Sequence, residues 1–220
     1  GFIGGGRSNY LSGGNSSIVG GVSNTSSGTI AFIGGGKQNY IYAGSGYYAG
    51  FSIIGAGFCN TICQAYSTAI LTGTCNSVLG YSTIIGGACN TSNAIYGFIG
   101  GGNCNKLYCF VSQEACFSSI LNGTSNQISG SYSFIGGGCN NKVENDSAKQ
   151  FSTIVGGILN TSSGQNSFIG NGCKNTIGTD YTSGVSLRNF IGNGNNNNIR
   201  GACLLNNIIG NGDQNSINTY

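Results

Sequence analysis

Apolar and polar positions recur along this chain in one short phrase, written thirteen times. Each copy opens on an apolar pair whose first members are Phe2, Ile18, Phe32, Ile53, Ile70, Ile84, Phe98, Ile120, Phe134, Ile154, Phe168, Phe190 and Ile208. Six or seven places later stands an asparagine: Asn9, Asn24, Asn39, Asn60, Asn76, Asn90, Asn105, Asn126, Asn141, Asn160, Asn175, Asn197 and Asn215. Two places after that Asn comes an aliphatic residue in ten copies, among them Ile41, Ile62, Val78, Leu107 and Ile128. In the other three the position is Ser26, Ser92 or Ser162, each in "NTS". The phrase has a long form, "FIGGGKQN", and a short form, "IIGGACN", and every Phe that opens a pair belongs to a long form. The next copy begins 14 residues after each short form, which sets a basic coil of about 14 residues. Longer spacings follow the long forms, and the largest insertions run through 42–52, 108–119, 144–153 and 178–189.

The apolar spacing does not follow a helical period, and glycine is costly inside a helix. Short β-rich pieces such as "SFIG" and "NTI", separated by "GG" and "SG", predict two short strands per coil with glycine at the corners. A fixed period of this length is the mark of a solenoid. Stacked coils pair their strands in parallel and place equivalent residues about 4.8 Å apart along the axis. The recurring Asn then forms a ladder, because stacked side-chain amides bond from coil to coil. Proline would interrupt such ladders, and the chain has none. The expectation is an all-β chain, a parallel β-solenoid of about thirteen short coils with loop insertions, forming one domain over 1–220 as a segment of a longer fibre.

Neighbours on a strand point to opposite faces. Both members of the opening pair are apolar in all thirteen copies. One column then fills the coil, and the other makes an apolar stripe outside, larger than the few hundred Å² a monomer usually exposes. Copies of the same chain are the simplest cover for it. Phe2, Phe32, Phe98, Phe134, Phe168 and Phe190 are the expected contacts between chains. The alternative is that both side chains bend inward at the glycine corner. On the first reading the extra residue of the long form widens the corner for Phe, and Gly101→Val should disrupt a coil.

The pattern "S-F-I-G-G-G-x-x-N-x-I-S-G" resembles the head repeats of trimeric autotransporter adhesins, and similar Gly-Asn repeats of virus and phage fibres. That resemblance implies a left-handed β-roll, three chains to a rod, outside the cell or on a virion surface. The ten cysteines, the Phe in the strand and the long insertions depart from a simple adhesin head.

Composition narrows the function classes. Only 6% of residues are charged, Gly is 42 of 220, and His is absent. The hydrophobic content of 39% is too high and too regular for a disordered Gly-Ser-Asn tract. The eight basic residues are scattered singly, whereas nucleic-acid binding needs a clustered stripe. No run of 18 apolar residues occurs, so membrane insertion is not expected. Without His there is no Ser-His-Asp triad. Of the five acids only Glu144 and Asp146 lie close together, in an insertion that reads as a solvated turn. "GGGKQN" lacks the spacing of a phosphate loop. No enzyme activity and no cofactor are expected.

Cys59, Cys75, Cys89 and Cys104 each precede the ladder Asn in four consecutive coils, so they should stack. Pairing between adjacent coils and a column of buried free thiols are both open. Cys109 and Cys116 share one insertion and could close it. A zinc site is disfavoured because no paired C-x-x-C spacing occurs. Six N-x-S/T sequons begin at Asn15, Asn24, Asn90, Asn122, Asn145 and Asn160 and would permit glycosylation. The expected function is a non-enzymatic, homotrimeric fibre segment that extends and presents its insertions for attachment. Tyr42, Tyr47, Tyr48, Phe51, Tyr108, Phe110 and Phe117 would meet a host glycan or protein, or pack on a neighbouring chain. The alternative is an ice-binding or glycan-binding solenoid; ice binding needs a flat Thr array, and the Thr72–Thr74 pair is not repeated in adjacent coils.

Overall fold

The computed structural model describes residues 1–42, 51–63, 67–108, 117–144, 151–178, 188–201 and 205–218. It is a parallel β-solenoid with 26 short strands and no helix among the described residues. The chain forms two compact units, Gly1–Cys104 and Asn105–Tyr220. The central parts of the four large insertions, with Tyr47, Tyr48, Cys109, Phe110, Cys116 and Asp146, lie outside the described residues.

In the first unit one parallel sheet starts with Phe2–Ile3, Ser17–Ile18 and Ala31–Ile33 and ends with Ser82–Ile84 and Gly97–Ile99. A second parallel sheet runs from Tyr10–Leu11 through Thr61–Cys63 to Thr91–Ser92. The second unit repeats the plan. One sheet runs from Ser119–Ile120 to Ile208–Ile209, and the other from Lys106–Leu107 to Ser216–Asn218. Two strands per coil were expected. Each unit also carries a third ladder of single parallel bridges, as in Arg7↔Val22↔Lys37 and Thr124↔Cys139↔Ile158.

The register corrects the reading of the repeat. Ile3 pairs with Ile18 and Ile18 with Ile33, so the first apolar residue of a short form stacks on the second of a long form. The two forms are therefore one frame, Ile-x-x-Gly-x-x-Asn, kept in all thirteen copies. No extra residue widens a corner for Phe. The ladder Asn recurs every 15 residues in the plain coils, as from Asn9 to Asn24 to Asn39, with a single spacing of 14 between Asn76 and Asn90.

The framing Ile is the core. Ile18, Ile33, Ile54, Ile84, Ile135, Ile154 and their equivalents as far as Ile191 have no solvent exposure; Ile209 is nearly buried, and Ile3, in the first coil, is well exposed. Facing them are Ile41, Ile62, Val78, Leu107, Ile128 and Ile177 from the second sheet, equally buried. Burying each such side chain contributes about 1.5–3 kcal/mol. Two positions before the Ile a small residue is buried in most coils, and several of the serines there donate to a corner carbonyl. Ser16 donates to Gly28 O at 2.6 Å, Ser82 to Ala94 O at 2.6 Å and Ser118 to Gly130 O at 2.8 Å.

Of the serine copies of the aliphatic column, Ser92 donates to Ser82 Oγ at 2.9 Å, while Ser26 and Ser162 bury a hydroxyl with no hydrogen-bond partner. Ser162 is fully buried between Val143 and Ile177 in the ladder, and its hydroxyl has no hydrogen-bond partner. Ser162→Ala removes that unsatisfied group and should stabilise the chain by about 1 kcal/mol in a denaturant titration. A loss of stability would show that the hydroxyl is satisfied in solution.

Candidate functional site

Four columns of side chains carry the chemistry that the coils offer. The first is the Asn ladder. Asn126, Asn141 and Asn160 are fully buried, and each Oδ1 accepts the backbone N–H of the next Asn, at 2.9 Å from Asn141 and 3.0 Å from Asn160. Each Nδ2 donates within its own turn and to the next coil, as Asn141 does to Gly137 O at 2.9 Å and Gly157 O at 2.8 Å. The ladder holds coils together and from Asn24 to Asn197 is closed to solvent. Three sequon asparagines, Asn24, Asn90 and Asn160, are buried members of this column and unavailable for glycosylation in the folded chain. Asn15 and Asn122 are exposed, and Asn145 lies outside the described residues.

The second column lies on the outer face of the first sheet. The opening pair straddles the strand, with Ile inside. In the six Phe copies the ring lies outside, and in the short forms the outer residue is the one after the Ile. Phe2 and Phe32 are exposed, and Phe98, Phe134 and Phe168 half-buried. The residues flanking the Ile share the outer face, and they are complementary in size. Phe32, Phe134 and Phe168 are followed two places later by Gly34, Gly136 and Gly170. Where the first position is small, as in Ser17, Ala69, Thr83, Ser119 and Thr153, the second is Val19, Leu71, Ile85, Leu121 or Val155. Every coil so presents one bulky apolar group. The aromatic ring covers the glycine: a Cβ added at Gly136 would lie 3.4 Å from Phe134 Cε1, and one at Gly34 3.3 Å from Phe32 Cε1. Phe168 and Phe190 stack at 5.1 Å between centroids.

This complementarity predicts coupling. Val155→Gly bares backbone and should cost about 1–2 kcal/mol. Adding Thr153→Phe in the same chain should restore most of it, with a coupling of about 1 kcal/mol in a double-mutant cycle. Additive effects would mean that the two positions do not share one space.

The third column immediately precedes the ladder Asn, at a corner where every residue has positive φ, including Ser8, Gln38, Ser125 and Lys174. Cys59, Cys75, Cys89 and Cys104 occupy it in four consecutive coils of the first unit, with φ between 54° and 60°. All seven described cysteines are free thiols. The column is not buried: Cys75 and Cys89 are exposed and Cys59 and Cys104 half-exposed, because this corner turns its side chains outward. Partial desolvation, then a hydrogen bond and repulsion from Cys59 and repulsion from Cys89, push the Cys75 thiol above its ordinary range. Cys109 and Cys116 lie outside the described residues.

A fourth feature was not read from the sequence. Aromatic side chains three places before the framing Ile stack along a second corner. Phe117 and Tyr132 lie 5.5 Å apart and Tyr132 and Phe151 4.8 Å apart, centroid to centroid. The signal was present as a constant offset from the Asn, hidden by the insertions between copies.

Glu144 pairs with Lys142 on the surface. Among the described residues no three His, Cys, Asp or Glu side chains converge on a point that would hold a metal ion. No protein-family model matches the chain, and no curated protein does. Its likeness to adhesin and fibre repeats therefore rests on the repeat itself.

Proposed function

We propose that this chain is a non-enzymatic structural segment of a fibre on a cell or virion surface. It extends the fibre and presents its insertions, and it assembles with copies of itself, three to a rod. The outer face of the first sheet carries this reading. Within each unit that face presents one bulky apolar side chain per coil, with Val19 48%, Leu71 45%, Leu121 47% and Val155 48% exposed. Such a stripe exceeds what a solitary soluble chain usually leaves bare. Its groups recur with the coil rise of about 4.8 Å. A partner must share that rise to meet each of them, and a second copy does so by construction. The resemblance to trimeric adhesin heads supports three chains, an extracellular setting and attachment as the role.

Leu71→Glu with Leu121→Glu tests the assembly. Both side chains point away from the coil, so the fold should survive while each contact loses about 1.5–3 kcal/mol and gains a buried charge. Sedimentation velocity should show the natural chain as an oligomer and the variant as a folded monomer. A natural chain that sediments as a monomer, or a variant of unchanged mass, would remove the support for self-assembly.

Attachment to a surface glycan is a second reading, favoured by the stacked aromatic corner at Phe117, Tyr132 and Phe151. Flat apolar rings on a rigid rod suit the apolar faces of sugars.

A further inference from the structure

The column Cys59, Cys75, Cys89 and Cys104 is a built array of thiols. Each backbone N–H is fixed to the preceding coil: Cys59 to Lys37 O at 3.0 Å, Cys75 to Phe58 O at 2.8 Å, Cys89 to Thr74 O at 2.9 Å and Cys104 to Ala88 O at 2.9 Å. The four corners share one φ, so their Cα–Cβ bonds run side by side. Equivalent Cβ atoms then lie about one coil rise apart, about 4.8 Å. The side chains reach solvent.

That spacing discriminates between the chemistries open to thiols. A tetrahedral zinc site needs four converging ligands, and a straight column cannot supply even three. A disulfide needs Cβ atoms about 3.5–4.5 Å apart, so it would have to draw two coils together against the Asn ladder beside it. An ion midway between two sulfurs one rise apart would sit about 2.4 Å from each. Metal–thiolate bonds are about that long, at roughly 2.3 Å for zinc. Soft thiolates suit copper(I), zinc and iron–sulfur clusters, and of these zinc and the clusters need more ligands than two neighbouring sulfurs supply. Linear coordination by two sulfurs is the geometry such a pair offers.

We propose that adjacent thiols of this column bind a two-coordinate soft ion of the copper(I) class, one ion between Cys59 and Cys75 and one between Cys89 and Cys104. Each ion displaces the thiol protons of its pair, so uptake releases protons and strengthens as pH rises. The site lies on the corner beside the ladder and does not depend on self-assembly.

The test varies adjacency at constant thiol count. Two double variants of the full chain are compared, C59S/C75S and C75S/C104S. Both keep eight of the ten cysteines. The first leaves Cys89 and Cys104 on neighbouring coils, while the second leaves Cys59 and Cys89 two rises apart, about 9.6 Å. Each is titrated anaerobically with copper(I) held by bicinchoninate, after circular dichroism has confirmed the fold. The first should take up one more ion per chain than the second, and the natural chain one more than the first. Equal uptake by the two variants would overturn the proposal, as would no uptake by the natural chain.

Discussion

Asn141→Leu is expected to destabilise the second unit by about 3–6 kcal/mol, near the upper end for a single substitution. The side chain is fully buried. Its Nδ2 donates to Gly137 O and Gly157 O, and its Oδ1 accepts from Asn160 N at 3.0 Å and Asn160 Nδ2 at 3.1 Å. Leucine fills a similar volume and makes none of these bonds. Gly137 O and the Asn160 N–H would be left bare inside the protein, where each unsatisfied group costs about 1–3 kcal/mol, while Asn160 Nδ2 keeps Gly156 O and Gly172 O, both at 3.0 Å. Gly157 O likewise keeps a partner, since it also accepts from Cys139 N at 2.9 Å. The neighbours transmit the loss, since in a solenoid each coil is held by the one before and the one after. Denaturant unfolding followed by far-ultraviolet circular dichroism reads the change. A loss below about 1 kcal/mol would show that the ladder is ornamental to stability.

Gly138→Ala should be nearly as damaging, and Gly137→Ala close to neutral. Gly138 has φ +88°, and an added Cβ would lie 2.1 Å from Gly157 O and 2.6 Å from Asn141 Nδ2. Neither atom yields cheaply, since one is backbone and the other is fixed in the ladder. Strain and overpacking together should cost about 3–5 kcal/mol. At Gly137 the nearest atom to an added Cβ is Asn122 O at 3.9 Å, and φ lies outside the left-handed region. Alanine there should change stability by less than about 0.5 kcal/mol. Similar melting temperatures for the two variants would refute the assignment of the corner. The same geometry corrects the expectation for Gly101: an added Cβ there meets nothing within 4 Å, and the constraint falls on Gly102, with φ +87°.

The errors in reading the repeat share one cause. Anchored on apolar pairs, the copies split into two forms, because the residue on either side of the framing Ile may be the bulky one. Phe134-Ile135 and Ile154-Val155 look alike as pairs, yet Ile135 stacks on Ile154. Anchored on Asn141 and Asn160, the two copies fall into one frame. Solvent, not sequence spacing, distinguishes Phe134 from Ile135. The thiol column shows the same limit. Its stacking was legible from the constant place beside the Asn, but its exposure depends on a positive φ that carries Cβ outward, and that conformation is shared by Ser, Gln, Lys and Leu at equivalent corners.

The sequence alone determined the solenoid and the Asn ladder, and left the apolar pair either straddling the strand or bent inward. Solenoid and ladder follow from local periodicity: alternation along a strand, a fixed offset from Ile to Asn, and glycine where the chain must turn. The tertiary structure decided the register between coils, the third ladder of bridges, the outward thiols and the aromatic corner at Tyr132. These depend on which residues meet across coils 14 to 22 positions apart, and insertions of unequal length hide that from any reading along the chain. Stacking restores the comparison, because every coil must satisfy the same buried hydrogen bonds whatever length of loop precedes it.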